Sequence, residues 1–87
     1  MNAADAFLAI ADPHRRHLLE ELRRGPKTVN QLASGLPVSR PAVSQHLKVL
    51  LDAGLVSAKS EGTRRIYAVS AAGFMKLNIW LDQFWEG

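Results

Sequence analysis

The sequence predicts a mostly α-helical domain with one small β-hairpin, in the order α-α-α-α-β-β-α of a winged helix-turn-helix. An amphipathic segment over residues 40–51 repeats its apolar side chains at helical spacing. A shorter helical segment lies directly upstream and ends in a turn that contains Gly35. Two short strand-like segments follow, with Gly62 at their bend. The 87 residues form one domain, 1–87, because no linker, repeat or low-complexity tract divides them.

The first two helices are separated at Asp12. We expect the first helix over Ala4 to Ala11. Asp12 is a favourable N-cap and Pro13 suits the first helical position, so a second helix begins there and ends near Gly25. The arginines of the second helix are interpreted mostly as solvated surface, since two glutamates stand at helical spacing from some of them.

The third and fourth helices both begin at a hydroxyl side chain. Thr28 opens a short third helix, and Gln31 completes a capping-box pattern three residues later. A turn over residues 34–37 follows. Ser39 then caps the fourth helix, which is expected to run to the residue before Gly54.

The last third of the chain predicts a hairpin and a final helix. Strands are expected from Val56 to Ser60 and from Arg65 to Val69, joined through residues 61–63 with glycine at the bend. Ser70 is expected to cap a last helix that reaches about Trp85.

The fourth helix has an apolar face and a face suited to DNA. Its polar side offers a guanidinium, a hydroxyl, an amide and an ammonium, which are groups that contact base edges and phosphates in a major groove. An ordinary solvated helix would show the same pattern, but the helix-turn-helix context favours double-stranded DNA. Arg40, Ser44 and Gln45 are assigned to base edges. The other residues assigned to DNA from this region are Thr28, Ser39, Pro41, His46 and Lys48.

The hairpin is predicted to be a second DNA-contacting element, the wing. Lys59, Arg64 and Arg65 flank its tip, where cations contact the phosphate backbone or the minor groove. Such cations also discourage edge-to-edge strand pairing, which is the alternative explanation. Glu61 opposes phosphate binding unless Arg64 or Arg65 neutralises it.

The final helix carries more apolar surface than one face can hold. A helix that is apolar on more than one side must be buried on more than one side, and the core of so small a chain covers only one. A second copy of the chain is the simplest way to cover the other side. The alternatives are a monomer whose last helix packs deeply against its own core, or a fragment of a larger protein. The residues assigned to the dimer interface are Phe7, Ile10, Phe74, Leu77, Trp80, Leu81, Phe84 and Trp85.

The composition predicts neither an enzyme nor a metal or cofactor site. The chain has no cysteine, which excludes disulfides, thiolate zinc sites and cysteine nucleophiles. His14 and His17 lie one helical turn apart, but only Asp12 or Glu21 could complete a metal site, so both histidines are interpreted as surface residues. No catalytic triad, carboxylate pair or phosphate-binding glycine loop is present.

Charge and hydropathy favour a cytoplasmic partner of nucleic acid. The formal net charge is +3, which suits a polyanion. No apolar run approaches the roughly 20 residues that span a bilayer, and the N-terminus lacks the pattern of a signal peptide. We therefore expect no membrane association and a cytoplasmic location.

Four segments together resemble the ArsR-type (arsenic-repressor-like) family. They are residues 9–16 (AIADPHRR), 43–50 (VSQHLKVL), 53–56 (AGLV) and 61–67 (EGTRRIY). The resemblance covers nearly the whole chain, and these motifs in this order are specific. It implies a dimeric bacterial winged-helix repressor that dimerises through its first and last helices and releases its operator when an effector binds.

The chain differs from the metal-sensing members of that family. Those members carry a cysteine pair at the start of the recognition-helix region, or aspartate and histidine ligands on the last helix. Here the first region holds Leu36, Val38 and Ser39, and the last helix has no histidine. The chain therefore resembles the cysteine-free branch that includes autorepressors of toxin-defence and developmental operons.

The resulting prediction is a homodimeric, sequence-specific transcriptional repressor that binds an inverted-repeat operator. Two alternatives stay open. One is a repressor that responds to a metal or small ligand through His14, His17 and carboxylates. The other is a winged helix used only as a protein-interaction module.

Overall fold

The computed structural model describes residues 3–85, which form five helices and three strands. The mostly helical winged helix-turn-helix predicted from the sequence is confirmed, with one additional short strand. In chain order the elements are α1 (Ala3–Ile10), α2 (Pro13–Leu22), β1 (Lys27–Thr28), α3 (Val29–Ala33), α4 (Arg40–Asp52), β2 (Val56–Glu61), β3 (Arg64–Val69) and α5 (Ala71–Asp82).

Three side-chain caps define where α2, α3 and α4 begin, as their sequences predict. The Asp12 carboxylate accepts hydrogen bonds from the backbone N–H groups of His14 and Arg15, at 2.8 and 3.2 Å. Thr28 and Gln31 form the reciprocal capping box of α3. Ser39 Oγ accepts from the backbone N–H of residue 42 at the start of α4. Each cap satisfies a backbone N–H that has no partner inside the helix.

The last helix is shorter than expected and begins differently. It ends at Asp82, because the backbone beyond it closes tighter turns, with the N–H of Phe84 donating to the Leu81 carbonyl at 3.1 Å. Ser70 occupies the N-cap position of α5, but its hydroxyl makes no capping hydrogen bond. Its backbone N–H instead donates to the carbonyl of Leu55 at 2.9 Å, which ties the start of α5 to the end of the α4–β2 turn.

The sheet contains three antiparallel strands in the order β1-β3-β2. Strands β2 and β3 pair from Val56 opposite Val69 to Glu61 opposite Arg64, so each is one residue longer at the tip than predicted. The loop is therefore only two residues long, and its Gly62 adopts a positive φ of 64° that favours glycine. Strand β1 was not predicted, because two residues are too short to show an alternating pattern.

One hydrophobic core joins the helices to the base of the hairpin. Its fully buried side chains come from α1, α2 and α4 and from Leu55 in the turn before β2, and α5 adds Leu77 at 5% exposure. Burying these side chains orients α4 so that its opposite face points outward. The largest fully buried side chains are Leu18, Val43, Leu47, Leu50 and Leu55.

Candidate nucleic-acid interface

Helix α4 presents one continuous polar face to solvent. Val43, Leu47 and Leu50 are each 0% exposed, and they anchor the helix to the core. Because successive turns repeat every 3.6 residues, this burial sends the opposite side chains outward. The exposed residues of that face are Ser39, Arg40, Pro41, Ser44, Gln45 and Lys48.

Two residues assigned to DNA on α4 already have partners within the chain. Lys48 Nζ lies 3.2 Å from Asp52 Oδ2 one turn further along, in an exposed ion pair. Such pairs contribute little, so a phosphate can replace the carboxylate at small cost. His46 is half-buried rather than on the outward face, and its Nδ1 lies 3.4 Å from Nη1 of Arg15.

The three wing cations lie in different environments. Lys59 Nζ pairs with Glu61 Oε2 at 3.5 Å, so the partner of this acid is a lysine on its own strand and not Arg64 or Arg65. Residues two apart on a strand share a face, and this brings Lys59 and Glu61 together. The Arg65 guanidinium lies 5.6 Å from the centre of the Tyr67 ring, on the opposite face of the hairpin. Within residues 3–85, Arg64 makes no ion pair.

A cleft of about 200 Å³ connects the helix-turn-helix to the wing. Arg40 at the start of α4, Thr28 at the start of α3 and the arginines of the wing tip meet there, although they are far apart in sequence. Asn30 and Thr63 also line it, and neither was predicted from the sequence because neither belongs to a cationic or periodic pattern. The cleft is lined by Thr28, Val29, Asn30, Arg40, Thr63, Arg64 and Arg65.

Arg15 links helix α1 to helix α4. Its Nε donates to the Ala9 carbonyl at 2.6 Å and its Nη2 donates to the Leu8 carbonyl at 3.1 Å, while Nη1 faces His46. Arg16 similarly donates to two carbonyls at the end of α1. Arg15 is half-buried, so the expectation of a solvated surface is wrong for it, whereas Arg16 is exposed and still donates to carbonyls at the C-terminal end of α1. No local pattern reveals the contact between Arg15 and His46, because the two residues are 31 positions apart in the sequence.

Asp12, His14 and His46 form the group of potential metal ligands found within the described part of the chain. His17 is not a member of this group, so the structure does not assemble the His14–His17 pairing considered from the sequence. Partial burial raises the pKa of the Asp12 carboxyl. The backbone hydrogen bonds from Arg15 and His14, with the attraction of His46 and Arg15, outweigh that effect and place its pKa below the ordinary value.

An exposed apolar face extends over α1 and α5. Trp80 links the two helices, since its ring lies 4.9 Å from the Phe7 ring and 4.7 Å from the Phe84 ring, measured between centroids. Leu77 points into the core of its own chain, and Phe74 and Ile10 are half-buried against it. The large apolar residues exposed on these helices are Leu8, Met75, Ile79, Trp80 and Leu81, and Phe84 and Trp85 are exposed in the turn after α5.

Three of these residues widen the surface assigned from the sequence. Leu8, Met75 and Ile79 are 69%, 60% and 66% exposed, and none was included in the predicted interface. All three are apolar in the sequence, but the orientation of each helix on the core decides which side faces outward. Across residues 3–85, no helix combines the length and apolar character that a membrane crossing needs.

Comparison with known proteins agrees with the winged helix-turn-helix fold. The family described as "Bacterial regulatory protein, arsR family" matches residues 12–58. The HTH-type transcriptional regulator Rv2034 of Mycobacterium tuberculosis is 52% identical over 80 residues, which cover 92% of this chain and 75% of the relative. The transcriptional repressor SdpR of Bacillus subtilis is 30% identical, with 92% and 89% covered.

A solved structure shares the whole architecture. The homodimeric winged helix-turn-helix DNA-binding domain Mb0332 of Mycobacterium bovis superposes with a TM-score of 0.76 and 28% identity. The match covers 97% of this chain and 82% of that structure. The similar proteins named here are transcriptional regulators, not enzymes.

Proposed function

This chain belongs to the arsR family of bacterial regulatory proteins, and from that premise we propose that it represses transcription as a homodimer bound to an inverted-repeat operator. The relatives support the role of a transcriptional repressor of this family. The residues that contact DNA, the symmetry of the operator and the dimer are our own proposals.

The cleft between α3, α4 and the wing is the observation that carries the proposal. On this side of the molecule the cleft is lined by three arginines and by residues at the N-terminal ends of two helices. Arginines and helix N-termini both attract phosphate, so this side tracks a DNA backbone while the outward face of α4 lies in the major groove. Ser44 and Gln45 are exposed in the middle of that face, where they reach base edges.

The homodimer follows from the exposed apolar face of α1 and α5. Isolated apolar residues on a surface are ordinary, but seven large ones are exposed on α1, on α5 and in the turn after α5, and protein interfaces are enriched in such residues. Two-fold symmetry then places two copies of α4 in successive major grooves, about 34 Å apart, and the operator has matching symmetry. Linking two half-site binders raises affinity through effective concentration.

The test compares operator DNA with random DNA. We expect Ser44→Ala combined with Gln45→Ala to reduce operator discrimination by about 1–3 kcal/mol for each base edge that the variant no longer reads, and to leave nonspecific binding almost unchanged. Lys76→Ala, an exposed change on α5 away from α4, is the control and leaves both affinities unaltered.

Two results would contradict the proposal. Equal reductions in affinity for operator and random DNA would remove Ser44 and Gln45 from base reading. A wild-type protein with no salt-dependent affinity for any DNA would instead support the alternative of a protein-interaction module, because counterion release accompanies phosphate binding.

A further inference from the structure

Helices α2 and α4, which are separate in the sequence, bring together three side chains of the types that bind metal ions. Asp12 and His14 stand at the start of α2, and His46 comes from the middle of α4. Each offers one ligand atom, and these atoms all lie within 4.8 Å of one another. We propose that Asp12, His14 and His46 bind a divalent transition-metal ion of the zinc type. This proposal does not depend on DNA binding.

The distances require a small closure around the ion. Zinc bonds to imidazole nitrogen and carboxylate oxygen are about 2.0–2.1 Å, so neighbouring ligand atoms of a tetrahedral site lie about 3.3 Å apart. The ring centroids of His14 and His46 are 5.7 Å apart, at 57° to each other, so the two rings are neighbours. All three side chains are half-buried at the surface, so rotation of the two imidazoles about their side-chain dihedral angles can close the remaining gap while Asp12 keeps its place as the helix cap.

Asp12 can bind an ion without giving up its structural role. Both hydrogen bonds of the N-cap use Oδ1 of the carboxylate. Within residues 3–85, no hydrogen bond uses Oδ2, which is available as a ligand atom.

Arg15 sets an upper limit on the affinity. Its Nη1 lies 3.4 Å from His46 Nδ1, a long contact, and hydrogen bonds to the carbonyls of Leu8 and Ala9 hold the guanidinium in place. A bound ion competes with this contact for His46 and is repelled by the nearby cation. We therefore expect weaker binding than that of a structural zinc site.

The donor set selects the class of ion. Two imidazoles and one carboxylate suit Zn²⁺, Co²⁺ and Ni²⁺. Ions that require thiolate ligands do not fit, because the chain contains no cysteine. Three protein ligands leave one tetrahedral position for water, as in open zinc sites. The site connects the first turn of α2 to His46 of α4. His46 directly follows Gln45, which lies on the proposed DNA-reading face.

The experiment uses tag-free full-length protein without DNA. Zn²⁺ affinity is measured by competition with a chromophoric chelator, and Co²⁺ is added separately to record its visible absorption. We expect one Zn²⁺ per protomer and the intense d–d bands of four-coordinate cobalt. His14→Gln and His46→Gln should each weaken Zn²⁺ binding at least ten-fold. Asp12→Asn keeps the helix cap and removes the charged ligand, so it should weaken binding while the thermal melting curve stays close to wild type.

His17→Gln is the matched control, since His17 lies one turn further along α2 and outside the cluster. Its Zn²⁺ affinity and cobalt spectrum should equal those of the wild type. Wild-type affinity weaker than about 1 mM would overturn the proposal, and so would an equal reduction in His17→Gln and His14→Gln. Because DNA is absent from every measurement, a failure here leaves the proposed repressor function untouched.

Discussion

At the residue scale, Gly73 shows how closely two elements of this small protein approach each other. A Cβ atom at this position would overlap the backbone carbonyl oxygen of Gly54 and lie 3.2 Å from the Leu55 Cα. Backbone atoms cannot rotate away as the end of a flexible side chain can. Glycine at position 73 therefore lets the first turn of α5 pack directly on the turn between α4 and β2.

Gly73→Ala should destabilise the protein by about 1–3 kcal/mol, the usual cost of overpacking a close contact. Thermal unfolding at a fixed protein concentration measures this, because the melting temperature of a protein that self-associates depends on its concentration. Gly35→Ala is the control, since the nearest atom to its added Cβ is 3.9 Å away and its φ is not positive. That variant should remain within about 0.5 kcal/mol of the wild type. Equal melting temperatures for the two variants would contradict the close approach.

At the element scale, the β2–β3 hairpin distributes its charges over two faces. Residues opposite each other in an antiparallel pair share a face, so Glu61 and Arg64 lie on the same side with Lys59, while Arg65 lies on the other side near Tyr67. Neither Arg64 nor Arg65 makes an ion pair within residues 3–85, and Arg65 lies near the Tyr67 ring, so Arg64 is the wing arginine without such a contact there. We therefore interpret Arg64 as the strongest phosphate contact of the wing.

Glu61→Gln should raise the affinity for operator and random DNA alike. It removes a negative charge that repels the phosphate backbone, and it frees Lys59 from its ion pair with Glu61. Arg64→Ala should lower both affinities and reduce the slope of the salt dependence by about one. Titrations over a range of salt concentrations measure both effects. Glu20→Gln, on the exposed side of α2, makes the same charge change away from the wing and should have little effect. If Glu20→Gln raised affinity as much as Glu61→Gln, net charge rather than the wing would explain the result.

At the scale of the whole molecule, substitutions on the exposed face of α1 and α5 can test assembly separately from folding. Leu77 is buried in its own chain, so a polar substitution there would unfold the protomer and say nothing about a dimer. Ile79 is 66% exposed two residues further along the same helix. Its side chain contributes little to the protomer core and is free to meet a second copy.

Ile79→Asp should shift the protein from dimer to monomer while the protomer stays folded. The physical reason is the reduced apolar burial, about 25 cal/mol per Å², together with the cost of desolvating a carboxylate that has no partner. Sedimentation at micromolar concentration measures the assembly, and circular dichroism confirms the fold. Lys76→Ala, on the same helix, should remain a dimer. Operator binding should fall with the dimer, and a wild type that sediments as a monomer yet binds its operator tightly would be inconsistent with the proposal.

Chemistry within a few residues was sufficient to predict most of the fold. The caps at Asp12, Thr28 and Ser39, the stop at Gly54 and the glycine at the hairpin tip each act over one turn of chain, so their residue types identify them directly. The two faces of α4 follow equally from its period of 3.6 residues. The sequence also identified the cations of the wing and the apolar excess of the last helix.

Contacts between distant segments were decided only by the tertiary structure. The link from Arg15 to His46, the joining of Arg40 with the wing tip in one cleft, and the pairing of β1 with β3 each depend on how separate elements pack. The same packing directs Leu77 inward and Ile79 outward on one helix whose residues are apolar nearly all round. A local pattern specifies which face of an element is apolar, but the rotation of that element on a shared core determines what each side chain finally meets.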